Sequence, residues 1–246
     1  MGNRMFVYAF SRILAQKRGC ECFCAPLPNF PKTSQDVGLP SQIGFIANPI
    51  TTRKYGNHWV DMNDLLTTER DVVVNSFLQK AEYYIDYKDF LSEFFWWEKE
   101  GMAEPDEDEL VIHLRETDYV DIGITISHDF YKNAIKTLGY TKVSIVTDDC
   151  TTKYIQELMS EGIKVLSTQR VNKFDVANTE AEMLDYAYML KSKHLLISHS
   201  TFSWWPAFLG NQEKIFYPVV SKSMWKEPPE KDDIDLFIPN KNFIKI

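Results

Sequence analysis

Residues 110–119 read Leu110-Val111-Ile112-His113-Leu114-Arg115-Glu116-Thr117-Asp118-Tyr119. An apolar run stops abruptly at a cluster of charged and polar residues. That pattern predicts a buried strand delivering a polar loop. In α/β proteins, ligands bind at the carboxyl ends of such strands. Arg115 would stand just beyond that end, where it could hold an anionic group. The plainer alternative is a surface loop with one ion pair, from Arg115 to Asp118 or Glu116.

Downstream, the chain alternates strand and helix. Phe130 to Leu138 reads as a helix stopped by Gly139, Val143 to Val146 as a strand, and Thr152 to Ser160 as a helix. Ile163 to Leu166 is the next strand. Thr179-Glu180-Ala181-Glu182 spells a capping box opening a helix with Met183, Ala187 and Leu190 on one face. Leu195-Leu196-Ile197 is a further strand. This alternation from Leu110 to about Gly210 predicts an α/β domain around a parallel sheet.

Upstream the pattern is weaker. Phe6, Phe10, Ile13 and Leu14 fall on one face of a helix that Gly19 ends. A helix this near the first residue lacks the strand and glycine turn that normally precede it. The expectation is a missing first strand, or a piece cut from a longer polypeptide. Cys20 to Cys24 reads as a strand, residues 25–70 as loops with short elements, and Val72-Val73-Val74 as a strand. Phe77 to Trp97 is rich in aromatics at helical spacing, read as a buried helix face, with a carbohydrate-stacking platform as the second reading. Residues 98–109 are acidic with a glycine and a proline, the best boundary in the chain. It divides an N-terminal α/β domain, 1–104, from a C-terminal α/β domain with a tail, 105–246. Asp106-Glu107-Asp108 has a metal-loop spelling but precedes its strand instead of following it, so no metal ligands are assigned.

The 246 residues carry a formal charge of −8, which argues against nonspecific binding to nucleic acid or anionic membranes. No stretch approaches the roughly 18 to 20 apolar residues of a membrane span. Of the four cysteines, Cys20, Cys22 and Cys24 alternate and Cys150 stands apart, which fits reduced thiols. With no secretory signal and no disulfide framework, the expected compartment is cytoplasmic. Neither a G-x-G-x-x-G dinucleotide loop nor a P-loop is spelled. His58, His128 and His194 receive no role.

Three strand ends carry the polar residues: His113, Arg115 and Asp118; Thr147, Asp148 and Asp149; and Ser198-His199-Ser200-Thr201, followed by Phe202-Ser203-Trp204-Trp205-Pro206. Ends on one edge of a parallel sheet could line a single crevice. Ser200, Thr201 and the following helix start would present hydroxyls and free N–H groups to a diphosphate. Pro206 places that helix's N-cap near Ser203. Arg115 could grip the diphosphate with its two-pronged donor geometry. Asp148 or Asp149 could accept from base or ribose groups. The plain alternative for the third cluster is a capped helix with Trp204 and Trp205 in the core.

Gly2-Asn3-Arg4-Met5-Phe6 with Tyr8-Ala9 resembles the G-N-Q-M-F-x-Y-A start of the α-1,2-fucosyltransferases. His113-Leu114-Arg115-Glu116-Thr117-Asp118-Tyr119 is similar to their H-x-R-R-G-D-Y motif, Thr147-Asp148-Asp149 to their S/T-D-D, and Ser200-Thr201-Phe202-Ser203-Trp204-Trp205 to their S-T/S-F-S-W-W. Asn75 to Tyr84 follows a further segment loosely, and Pro218 and Trp225 fit a later P…W. The matches run in order over nearly the whole chain. Glu116 and Thr117 depart from the family's second Arg and its Gly.

The resemblance implies a GT-B fold, two Rossmann-like parallel-sheet domains facing across a cleft. It implies inverting, metal-independent transfer of a 6-deoxyhexose, L-fucose from GDP-fucose, to a glycan hydroxyl, with no cofactor beyond the donor. Donor contacts would fall on Gly2, Asn3, His113, Arg115, Asp148, Asp149, Ser198, Ser200, Thr201, Phe202 and Ser203. Catalysis would fall on Arg115, with Asp118, Glu116 or His113 as the base. The departures at Glu116 and Thr117 keep three alternatives open: transfer of L-rhamnose, use of another nucleotide sugar, or a noncatalytic sugar-nucleotide or glycan-binding module.

Overall fold

The computed structural model describes residues 1–35, 48–167, 179–219, 228–239 and 242–246. Trp225 and residues 36–47 of the loop region lie outside them. The chain divides into two units, Met1–Trp96 with Trp225–Ile238, and Trp97–Met224 with Pro239–Ile246. The division falls at the head of the acidic run, and part of the tail belongs to the first unit.

The first unit is built on α1 (Gly2–Arg18), which buries Met5, Phe6, Tyr8, Ala9, Phe10, Ile13 and Leu14. Gly19, at φ 61°, ends it by turning its N–H back to the last carbonyls, a left-handed position that suits glycine. Aromatic rings pack on the buried face: Tyr84 lies 5.2 Å from Phe6, and Tyr83 lies 5.3 Å from Phe10. A short parallel ladder joins β1 (Ile50–Thr51) to β2 (Val72–Val73), with α2 (Met62–Thr67) between them in the chain.

Two expected elements differ. Cys20 to Cys24 forms no ladder; instead Cys22 and Cys24 bring their Sγ atoms to 3.3 Å. The aromatic stretch 77–97 is not one helix: two 3-10 turns, Ala81–Tyr83 and Ile85–Tyr87, lead into α3 (Lys88–Phe95). The tail explains the break. The Asp235 N–H donates to the Gln79 carbonyl at 2.9 Å, and its own carbonyl accepts from the Ala81 N–H at 2.7 Å. A backbone paired outward in this way cannot also close helical hydrogen bonds.

The second unit contains a six-stranded sheet: β3 (Glu109–Leu114), β4 (Lys142–Thr147), β5 (Lys164–Ser167), β6 (His194–Leu196), β7 (Lys214–Tyr217) and β8 (Phe243–Lys245). Every ladder is parallel, and the spatial order is β5-β4-β3-β6-β7-β8. Counted within this sheet, that is 3-2-1-4-5-6, the order of doubly wound nucleotide-binding folds. The connecting helices are α4 (Thr117–Asp121), α5 (His128–Leu138), α6 (Lys153–Ser160), α7 (Thr179–Lys191) and α8 (Thr201–Leu209). The fold is α/β with parallel sheets.

The period-2 alternation of β3 sorts its side chains into two layers. Leu110, Ile112 and Leu114 join Tyr131, Ala134, Tyr154, Ile155 and Leu158 from α5 and α6. Glu109 and His113 face the other way, towards α7 and the start of α8: Glu109 accepts from the Tyr188 hydroxyl, and the His113 ring lies 5.7 Å from that of Phe202. Local signals set the helix ends. Ser127 and Thr152 cap α5 and α6 by accepting from Phe130 N–H and Ile155 N–H, and Gly139, at φ 72°, closes α5.

Candidate functional site

The strand order reverses between β3 and β6, so the loops after these two strands part on either side of a crevice. β4 lies on the other side of β3, which brings its end alongside as well. The three polar clusters of the second unit therefore leave one edge of one sheet.

A buried hydrogen bond crosses the reversal point. His113, 2% exposed, lies with Nδ1 2.7 Å from Ser198 Oγ, which follows β6. Burial pushes the His113 pKa well below its ordinary value; nearby Asp148 opposes the shift and Arg115 adds to it. The ring is therefore neutral at neutral pH and serves as a hydrogen-bonding group.

Arg115 is held on two sides. Its guanidinium lies 2.9 Å from Asp148 Oδ2 and 2.9 Å from Asp118 Oδ1. Asp148 is buried, whereas the Asp118 side chain is 60% exposed. Asp148 also accepts from the Glu116 N–H at 2.8 Å and from the Thr117 hydroxyl at 2.5 Å. Burial alone would raise the Asp148 pKa, but Arg115, Thr117 and the Glu116 N–H outweigh it and hold the carboxylate below its ordinary value. One carboxylate at the end of β4 thus organises three successive residues after β3.

Glu116 points elsewhere. Its side chain is 5% exposed, and its carboxylate meets His128 Nε2 at 3.0 Å. Of the two acidic candidates for a base, Asp118 is thus the one open to solvent. His128, which sequence reasoning gave no role, stacks flat on Tyr154 with ring centroids 3.9 Å apart. No periodicity flags a pair on a turn and a helix start.

Asp149 is partly exposed and accepts from Thr151 N–H at 2.8 Å, which shapes the loop after β4. Ser200 caps α8, its hydroxyl accepting from the Phe202 N–H at 3.2 Å. The cap falls three residues before the expected Ser203. Ser203 is instead fully buried and donates to the Ser200 carbonyl at 3.1 Å. Pro206 then lies inside the helix, where its missing N–H costs up to about 3 kcal/mol. Burial of Trp204, Trp205 and Phe208 offsets that cost. Thr201 is buried in the first turn and Phe202 is partly exposed beside His113. Tyr119 reaches the His199 carbonyl at 3.4 Å.

Gly2 and Asn3 open α1 in the first unit, where Asn3 Oδ1 accepts from Gln79 Nε2 at 2.8 Å. Asp106 and Asp108 stand at the opposite end of β3, both paired with Lys142. No group of three or more His, Cys, Asp or Glu side chains gathers to hold a metal ion among the described residues, and none of their helices is long and apolar enough to cross a membrane.

No family model and no curated protein matches this chain. Several solved chains are similar to it, among them two structures of one protein. The first is NodZ alpha-1,6-fucosyltransferase co-crystallized with GDP, at 13% identity and a TM-score of 0.35, over 60% of this chain. The match spans about half of that protein's length, 53%. The second is NodZ alpha-1,6-fucosyltransferase soaked with GDP-fucose, at 13% identity and a TM-score of 0.49, over 91% of this chain and 93% of the other.

Proposed function

We propose that this chain is a glycosyltransferase of the GT-B type that moves a 6-deoxyhexose, L-fucose from GDP-fucose, to a glycan hydroxyl. The observation that carries this reading is the Arg115–Asp148 pair beside the His113–Ser198 bond at the strand-order reversal. That is where an open parallel sheet receives a nucleotide, and an arginine there suits a diphosphate. The ordered motif matches supply the sugar and the family.

In this reading Arg115 and the capped start of α8 neutralise the departing nucleoside diphosphate, with no metal and with inversion at the anomeric carbon. Asp118 exchanges its grip on Arg115 for the acceptor hydroxyl and removes its proton as the base. Neutral His113, fixed by Ser198, holds the floor of the pocket. The acceptor falls to the first unit.

A second reading rests on Glu116. Its turn towards His128 leaves Arg115 as the single cation of the 113–119 segment, which would suit a module that binds a sugar nucleotide without turnover. A thermal-shift screen of GDP, UDP and their sugars separates the cases, since a ligand that binds only the folded state raises the melting temperature. GDP and GDP-fucose should raise it, and donor should be consumed with a suitable glycan. Arg115→Ala should abolish transfer and weaken GDP binding at least tenfold. Wild-type-like affinity in that variant would refute the site; saturable binding with no donor cleavage would favour the module.

A further inference from the structure

We infer that His128 is a positioning residue for the diphosphate site: it anchors Glu116 and so fixes the turn that carries Arg115. The inference rests on the donor reading above and concerns residues to which that reading gives no part.

The turn is fastened from two directions. From β4, Asp148 takes the Arg115 guanidinium, the Glu116 N–H and the Thr117 hydroxyl. From α5, His128 takes the Glu116 carboxylate at 3.0 Å. Glu116 lies between the two anchors, its N–H bound on one side and its side chain on the other. His128 is the carboxylate's one side-chain partner among the described residues.

A carboxylate this buried cannot stay where it is without a donor. A buried carboxylate left without a partner is costly, so the orphaned group turns towards water instead. Turning it outward loosens the turn that carries it, which weakens its N–H bond to Asp148 and shifts the adjacent Arg115. His128 itself is held in place: its ring lies on Tyr154 at an interplanar angle of 11°, and Tyr154 is 5% exposed on α6. Lys132 Nζ also lies 5.3 Å from the Tyr154 ring centroid. The anchor, 41% exposed at its histidine, is thus braced on one face by Tyr154.

The test uses the full chain, calorimetric binding of GDP and of guanosine, and thermal melting. His128→Gln retains a donor for Glu116 and should bind GDP within about twofold of wild type. His128→Leu leaves the Glu116 carboxylate without its donor. It should lose at least tenfold in GDP affinity while guanosine affinity stays unchanged, because only the phosphate contact depends on Arg115. The double variant Glu116→Leu with His128→Leu removes the stranded carboxylate, should fold, and should recover most of the lost affinity. Wild-type GDP affinity in His128→Leu would overturn the inference, as would an equal loss for guanosine, no recovery in the double variant, or a failure of the glutamine to rescue. If wild-type protein binds no GDP, the donor reading itself fails, a result distinct from all of these.

Discussion

Arg115 is the residue with the most to exchange. Both of its partners are carboxylates, and they are not equivalent: Asp148 is buried and organises the turn, whereas Asp118 sits in solvent. An incoming phosphate competes with Asp118, because a solvated partner is released at little cost. Exposed pairs of this kind contribute about 0.2–1 kcal/mol. Asp118→Asn should therefore tighten GDP or pyrophosphate binding by up to about fivefold by calorimetry, and lower turnover if the same group is the base. Unchanged binding would mean that phosphate approaches Arg115 from another side. The strand-end position of Arg115 was legible from the apolar run before it. The fate of Glu116 was not, because its partner lies across a loop on another helix and no local pattern links them.

Among the helices, α7 carries an unusual acid. Asp185 is nearly buried, and burial, with Glu182 and Asp148 nearby, pushes its pKa up to about 7. An acid whose pKa is higher folded than unfolded binds its proton more tightly in the folded state. Stability then falls as pH rises from about 4 to about 7, and the full cost stands above that window. Asp185→Asn should raise the melting temperature at pH 8 and change it little at pH 4; equal shifts at both would rule out this linkage. The alternation of the second unit was readable because caps and apolar periods agreed at Ser127, Gly139 and Thr152. The start of α8 was misread because Pro206 was assigned to the first turn, whereas the Ser200 cap pulls the helix three residues earlier. The aromatic stretch 77–87 was misread because its backbone pairs with Asp235, a partner that no local window contains.

At the scale of the whole molecule, the tail meets the rest of the first unit through an acid as well as through the Asp235 backbone. Asp232 accepts three backbone N–H groups, from Asn57 at 3.1 Å, His58 at 2.7 Å and Trp59 at 3.1 Å. Lys231 lies over the Trp59 ring at 3.5 Å. Burial opposes ionisation of Asp232, yet the three N–H bonds prevail and lower its pKa. Its contribution is thus present above the ordinary carboxylate pKa of 3.8 and is lost as pH falls through the lower folded value. Asp232→Ala should speed amide exchange at residues 57–59 and lower stability at pH 7 by about 1 kcal/mol, since these bonds are open to solvent, measured by denaturant unfolding. Unchanged exchange would show that the tail is held elsewhere.

β8 follows that tail in the chain and adds the last strand to the second unit's sheet. Neither unit is therefore one continuous piece of sequence: a chain cut after Trp96 would lose the segment that pairs with the backbone of residues 57–59 and 79–81.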